Sequence, residues 1–269
     1  MVSVPEHYHL NVCPFERNVA MEGIFISEAT KENVGRILSA ARADEFAAVI
    51  GAPGTGKSTL LRLANSMLPK DQFVVIYNSA SNLNPRKMYR EILTKLGCSN
   101  VSFLAAREET KKRITEIREV EHKHVMVIFD EAHLMSNDAL QEVRFLLNDN
   151  FDSCSLMSVI LAGQSELWNV KLFQNELVSI RQRLDILVTV SPMDRADTDR
   201  YINYRLKFAG QQNDILTEKA IGTVYTATNG IPRLVNRLCG KSLLYGAQMG
   251  KKVLDEHDIK YVMDHETIC

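Results

Sequence analysis

GAPGTGKS, residues 51–58, is the stretch on which the interpretation of this sequence depends. It follows the apolar run of residues 46–50 and precedes a helical pattern over residues 59–67, so it fits a phosphate-binding loop, GxxxxGK[ST], between a strand and a helix. Glycines let backbone N–H groups approach phosphate oxygens, and the start of the following helix adds a positive dipole. The alternative, a glycine-rich turn, is disfavoured by the strand and helix on either side.

The loop predicts a site for a nucleoside triphosphate and Mg²⁺, with ATP as the expected nucleotide. We expect Lys57 to bridge the β and γ phosphates and the Ser58 hydroxyl to ligate Mg²⁺. The loop residues predicted to bind the nucleotide are Gly51, Pro53, Gly54, Thr55, Gly56, Lys57, Ser58 and Thr59.

A second motif, VMVIFDE at residues 125–131, is an apolar strand pattern that ends in two carboxylates. At the carboxyl end of a parallel strand such groups face a nucleotide. We expect Asp130 either to ligate the Mg²⁺ ion directly or to bind one of the ion's ligands. Glu131 is expected to polarise the attacking water as a general base. Acidic pairs after buried strands also occur as helix caps, which is the alternative for both residues.

Five short apolar runs predict an α/β fold. They span residues 46–50, 73–77, 125–129, 157–162 and 186–190. Because they are almost continuously apolar and alternate with helical segments, they predict a five-stranded parallel sheet with helices on both faces. After about Asp194 only helical periodicity remains, which predicts a small all-helical domain. We therefore expect a nucleotide-binding domain over residues 1–192, including an N-terminal segment and first helix over 1–45, and a helical lid over 193–269.

Helical spacing and capping residues locate several helices between the strands. Apolar residues recur at helical intervals at Val34, Ile37, Leu38 and Ala41, and again at Met88, Ile92 and Leu96. Asn84-Pro85 is typical of a helix start, and Asp138 is predicted to cap the helix that follows the acidic pair.

Composition narrows the cellular setting. The 32 basic and 33 acidic residues give a formal net charge of −1, so nothing in the bulk charge attracts a polyanion, and any nucleic-acid contact must come from local patches. The sequence has no apolar run long enough for a membrane helix and no signal-peptide pattern, which predicts a cytoplasmic protein without membrane contact. Five scattered cysteines, Cys13, Cys98, Cys154, Cys239 and Cys269, suggest neither a disulfide framework nor a zinc site.

Several motifs together resemble the AAA+ ATPases of the general secretion pathway protein A (ExeA) type and their transposition relatives, TnsC and the phage Mu B protein. The resemblance covers nearly the whole chain. It is carried by YHLNVCPF at residues 8–15, GAPGTGKSTLLR at 51–62, VIFDEAHLM at 127–135, ILAGQSEL at 160–167, IRQRL at 180–184 and NGIPRLVNRLC at 229–239. It implies the AAA+ P-loop fold and ATP hydrolysis.

The resemblance also assigns roles to residues outside the phosphate-binding loop and the acidic motif. Gln164 corresponds to sensor 1, which contacts the γ-phosphate, although a loop glutamine that satisfies its own backbone is the alternative. Arg183 corresponds to an arginine finger that reaches a neighbouring subunit, with Arg181 as the other candidate and a surface salt bridge as the alternative. Arg233 corresponds to sensor 2, with an exposed helix-end arginine as the alternative. A finger implies self-assembly into a ring or helical filament.

The resemblance leaves three functions open. Secretion-type relatives carry a membrane segment and a cell-wall-binding region after the ATPase core, neither of which this sequence shows, so we expect the transposition branch. That branch implies a filament on duplex DNA that recruits or activates a DDE transposase. A secretion or envelope-assembly ATPase that ignores DNA is the second possibility, and a non-enzymatic, nucleotide-gated scaffold is the third.

Binding to duplex DNA would require basic residues on the protein surface, and the resemblance suggests two clusters of them. They are Arg86 with Lys87, and Lys111 with Lys112 and Arg113. Such side chains neutralise phosphates without reading bases. A solvated helix face is the alternative, and Glu108, Glu109 and Glu116 are close enough in sequence to pair with these charges along a helix.

Overall fold

The computed structural model describes residues 3–79, 82–98, 102–148 and 155–267. Contacts divide the chain into two units. The α/β unit comprises Ala29–Pro53 and Lys57–Val190, and the helical unit comprises Met1–Glu28, Gly54–Gly56 and Ser191–Cys269. We describe each unit separately.

The α/β unit is built on one sheet of five parallel strands, as the sequence predicts. The strands are β1 (Phe46–Ile50), β2 (Phe73–Asn78), β3 (His124–Phe129), β4 (Ser158–Gly163) and β5 (Ile186–Thr189). Their order across the sheet is β2-β3-β4-β1-β5, so β1 is flanked by β4 and β5. Every residue of β1 and β4 is buried, which is why these strands appear in the sequence as unbroken apolar runs.

Helices cover this sheet and follow the predicted spacing. The α-helices of the unit are α2 (Glu28–Arg42), α3 (Lys57–Met67), α4 (Pro85–Lys95), α5 (Phe103–Glu119), α6 (Asn137–Leu147) and α7 (Val178–Arg181), with α1 (Val4–Tyr8) preceding them in the chain. The four apolar residues predicted for the first long helix are all buried on α2. Asn84 caps α4 as predicted, since its side chain accepts a hydrogen bond from the backbone N–H of Lys87.

The predicted cap at Asp138 is wrong. Ser136 is the N-cap of α6, and its hydroxyl accepts from the backbone N–H of Ala139 at 3.2 Å. Asp138 lies in the first turn, where a negative charge still interacts favourably with the helix dipole. Serine and aspartate two residues apart both satisfy the sequence rule, and only the geometry distinguishes them.

The helical unit contains four longer helices and the N-terminal segment. The helices are α8 (Arg195–Phe208), α9 (Glu218–Thr228), α10 (Pro232–Met249) and α11 (Glu256–His265). The buried guanidinium of Arg205 donates to the carbonyls of Pro14 (2.7 Å) and Glu16 (3.2 Å). These bonds help explain why residues 3–28 group with the C-terminal helices, whereas the sequence suggested that they accompany the nucleotide-binding domain.

Two further observations concern predictions from composition. None of the helices in the described ranges is both long and apolar enough to cross a bilayer. Cys13, Cys98 and Cys239 carry free thiols, and Cys154 and Cys269 lie outside the described residues.

Candidate nucleotide-binding site

The phosphate-binding loop connects β1 to α3 and depends on glycine at its bend. Gly54 and Gly56 have φ angles of 83° and 102°, a region that residues with a Cβ rarely adopt. A Cβ built at Gly56 would have no described atom beyond its chain neighbours within 4 Å. The backbone conformation, rather than crowding, therefore requires glycine at this position.

Lys57 is the first residue of α3, and its charge is held against the loop. The side chain is buried, and Nζ donates to the carbonyl oxygens of Gly51 at 2.8 Å and Ala52 at 3.1 Å. A buried ammonium group is stable only when its N–H bonds are satisfied, as they are here by loop carbonyls. The positive charge thus lies at the start of the loop and not in bulk solvent.

Asp130 follows β3 directly and is tied to three neighbours. Its Oδ2 accepts hydrogen bonds from the hydroxyls of Ser58 (2.9 Å) and Tyr77 (2.6 Å), and its Oδ1 accepts from the backbone N–H of Glu131 (2.9 Å). The carboxylate is buried, at 3% exposure for the residue. The structure therefore brings together Ser58 and Asp130, the two residues predicted to act at the metal.

These two side chains fit Mg²⁺. A hydroxyl and a carboxylate are the hard oxygen donors that Mg²⁺ prefers, and such sites use one or two carboxylates with the remaining positions filled by water and phosphate oxygens. Within the described ranges the structure has no cluster of three or more His, Cys, Asp or Glu that would bind a metal without a substrate. Ser58 and Asp130 would hold the ion together with a triphosphate.

Glu131 has an unusual backbone and a histidine neighbour. Its φ of 55° is in the left-handed region, which is uncommon for residues other than glycine and concentrates at functional sites. Its carboxylate is 46% exposed and lies 3.5 Å from Nδ1 of His133. The Glu131 carboxylate is therefore open to solvent, whereas the neighbouring Asp130 is buried.

Gln164 is adjacent to the same histidine. It follows the last residue of β4, and its backbone N–H donates to Nδ1 of His133 at 3.4 Å. A Cβ at the preceding residue, Gly163, would lie 3.2 Å from the backbone nitrogen of His133. The end of β4 and the segment after β3 are therefore in close contact, and His133 lies between Gln164 and Glu131.

The two finger candidates have different surroundings. The guanidinium of Arg181 is stacked 4.3 Å from the centre of the Phe173 ring, a cation–π contact within its own chain. Arg183 is half-buried in the turn after α7, and its backbone N–H donates to the carbonyl of Ile180. Both residues therefore make contacts within their own chain.

Arg233 lies in the helical unit, at the start of α10. Pro232 is the first residue of that helix, as the sequence predicts. The backbone N–H of Arg233 donates to the carbonyl of Gly54 at 3.2 Å, and a Cβ at Gly54 would lie 2.9 Å from Cβ of Arg233. Glycine at position 54 is thus required by close approach as well as by its positive φ.

The basic residues suggested for DNA lie on two helices that pack together, α4 and α5. Arg86 and Lys87 are exposed in the first turn of α4, and Lys111 and Lys112 are exposed on α5. Arg113 instead donates to Glu116 at 3.4 Å and to Glu121 at 2.9 Å. Its charge is partly neutralised along the chain, which is the alternative that the sequence left open.

Tyr77 and His133 are site residues that sequence reasoning missed. Tyr77 lies on β2, opposite Ile128 of β3, so it shares a face of the sheet with Asp130 two residues further along. Alternation within each strand is readable from sequence, but the register between strands is not. His133 follows the left-handed turn at Glu131, and nothing in the sequence signals that turn.

Comparisons with known proteins agree with this architecture. Residues 41–170 match the family model of the AAA domain. General secretion pathway protein A of Aeromonas hydrophila is 30% identical over 221 residues, a match that covers 80% of this chain and 39% of that protein. This chain therefore spans well under half the length of that curated relative.

Solved structures share the fold at low identity. Cdc6p from Pyrobaculum aerophilum superposes with a TM-score of 0.69 at 18% identity, covering 94% of this chain and 70% of that one. Drosophila ORC bound to DNA superposes with a TM-score of 0.71 at 16% identity, covering 98% and 66% respectively. The chain thus has the AAA+ P-loop fold, its residues 41–170 match an AAA domain, and it is similar in sequence to general secretion pathway protein A.

Proposed function

We propose that the chain binds MgATP at the loop of residues 51–58 and hydrolyses it. The observation that carries this proposal is the 2.9 Å hydrogen bond between Ser58 and Asp130, which joins the end of β3 to the start of α3 beside the buried Lys57. Lysine, hydroxyl and carboxylate in this arrangement are the parts that phosphoryl transfer requires for positioning and charge stabilisation.

Each side chain has one task in this reaction. Lys57 neutralises the β and γ phosphates, and Ser58 and Asp130 would hold Mg²⁺, which would supply further positive charge to the triphosphate. Glu131 accepts a proton from the water that attacks the γ-phosphorus, and the bond from phosphorus to the β,γ-bridging oxygen breaks to release ADP. Gln164 orients the γ-phosphate, and Arg233 links residues 193–269, as a lid, to the bound nucleotide.

We further propose that copies of the chain assemble in a head-to-tail manner, with Arg183 of one copy stabilising charge on the γ-phosphate bound by the next. The stacking of Arg181 on Phe173 of its own chain supports the choice of Arg183 over Arg181. Such a contact is heterologous, and repetition of it gives a ring or a helical filament.

We propose that the assembled form binds duplex DNA and recruits or activates a DDE transposase. Exposed charges on α4 and α5, at Arg86, Lys87, Lys111 and Lys112, support phosphate contact. The transposase partner follows from the resemblance of the sequence motifs to transposition ATPases. The chain would act in that setting as a regulator, since its site is built for phosphoryl transfer from a nucleotide.

Binding of labelled duplex DNA, measured with a non-hydrolysable ATP analogue at several salt concentrations, tests this role. We expect nucleotide-dependent binding, with an affinity that falls as salt rises. The double substitution Arg86→Ala/Lys87→Ala should reduce the log–log salt slope by about 1.8, because each lost phosphate contact contributes about 0.9. Lys219→Ala/Lys260→Ala removes two exposed charges from the helical unit and should leave the slope unchanged.

A second function is favoured by one comparison. The 30% identity to general secretion pathway protein A supports an ATPase that drives secretion or envelope assembly through a protein partner. That function predicts ATP turnover without any DNA binding, at any salt concentration and with any nucleotide. The same titration therefore separates the two roles.

A further inference from the structure

Tyr77 occupies a position that the proposed reaction does not yet explain. Its hydroxyl donates to Oδ2 of Asp130 at 2.6 Å, a shorter bond than those from Ser58 and Glu131 to that carboxylate. Ser58 donates to the same oxygen, so the two hydroxyls use both of its lone pairs. The orientation of Asp130 toward Ser58 is therefore fixed partly by a tyrosine on a neighbouring strand.

The fold holds Tyr77 firmly in this position. β2 pairs with β3 in parallel register, Tyr77 opposite Ile128, and the backbone N–H of Asp130 donates to the carbonyl of Asn78 at 2.7 Å. The side chain of Lys95, on α4, donates to the carbonyl of Tyr77. Three elements thus fix the backbone on which the tyrosine ring is mounted.

The ring of Tyr77 borders a cleft of about 440 Å³, which Ser58 and Thr59 line as well. Loss of the hydroxyl would therefore leave a solvent-accessible edge and no buried void.

We propose that Tyr77 is a positioning residue that sets the Mg²⁺ affinity of the site by orienting Asp130 toward Ser58. The inference rests on the proposed function, since it assumes that Ser58 and Asp130 hold the ion. When a serine oxygen ligates a metal, its proton must point away, and Oδ2 of Asp130 accepts it. Without the Tyr77 hydroxyl the carboxylate keeps only its bonds from Ser58 and Glu131, so its orientation toward Ser58 is less tightly fixed.

The test measures Mg²⁺ dependence separately from catalysis. A fluorescent, non-hydrolysable ATP analogue is bound to the wild type, to Tyr77→Phe and to Tyr89→Phe while Mg²⁺ is titrated, and again in EDTA. Tyr89→Phe is the matched control, because the Tyr89 hydroxyl donates to Glu142 at 2.6 Å in the same unit and away from Asp130. Thermal melting of all three proteins checks that each is folded.

We expect Tyr77→Phe to need on the order of 10-fold more Mg²⁺ for half-maximal binding, the lower end of the loss expected for a hydrogen bond to a charged group. Its affinity in EDTA should equal that of the wild type, and Tyr89→Phe should match the wild type in both conditions. An unchanged Mg²⁺ midpoint for Tyr77→Phe, or an equal loss of affinity in EDTA, would overturn the positioning role. Failure of the wild type to bind the analogue with Mg²⁺ would instead overturn the proposed function, and the inference with it.

Discussion

At the residue scale, the backbone conformations of individual residues shape the site. Gly56, in the loop, and Glu131, after β3, both have positive φ, at 102° and 55°. Glycine adopts such angles at little cost, whereas glutamate does so only when its surroundings enforce it. Here the backbone N–H of Glu131 donates to Oδ1 of Asp130 and helps to fix the turn, in which Asp130 is buried and the Glu131 side chain is 46% exposed.

A matched pair of glycine substitutions tests the conformation of the loop. Gly56→Ala should lower the free energy of unfolding by about 1–2 kcal/mol, because an L residue is strained at this φ. Gly35→Ala should raise it by about 0.5–1 kcal/mol, since Gly35 lies within α2 and a Cβ there meets no described atom within 4 Å. Urea denaturation followed by circular dichroism measures both. Stabilisation by Gly56→Ala would contradict the assigned backbone geometry.

Elements of the α/β unit were largely predictable from the sequence. The predicted strands agree with the observed ones to within one residue at each end, because a strand buried on both faces leaves a continuous apolar run. Helix starts were less certain. Asn84 was identified correctly because proline follows it, whereas Ser136 and Asp138 are both good caps and the wrong one was chosen.

Contacts between separate elements were harder to predict from the sequence than the elements themselves. The phosphate-binding loop and the acidic pair are each continuous in sequence, so both were recognised, and the Ser58–Asp130 bond follows once β1 and β3 lie in one sheet. Tyr77 was missed because its bond to Asp130 depends on the parallel register of β2 with β3. No residue pattern within either strand encodes that register.

The proposed completion of the site by a second copy is tested at the scale of the whole assembly. Arg183→Ala should lower ATP turnover on the order of 10³-fold, the scale of a charge-stabilising arginine, while analogue binding by each chain stays near the wild-type value. Arg181→Ala should lose only the stacking on Phe173 and retain most turnover. Steady-state turnover and sedimentation of both variants measure these effects. Normal turnover by an assembled Arg183→Ala protein would refute the finger role.

Lys57, Asp130 and Glu131 are proposed to form one active site for ATP hydrolysis. ATP hydrolysis and ATP binding by the wild type, Glu131→Gln and Lys57→Ala test it most directly. We predict that the wild type hydrolyses ATP, that Glu131→Gln binds ATP normally but turns over at least about 10²-fold more slowly for want of a base, and that Lys57→Ala does not bind. Turnover by Glu131→Gln at the wild-type rate, or undiminished binding by Lys57→Ala, would contradict the assignment of this site.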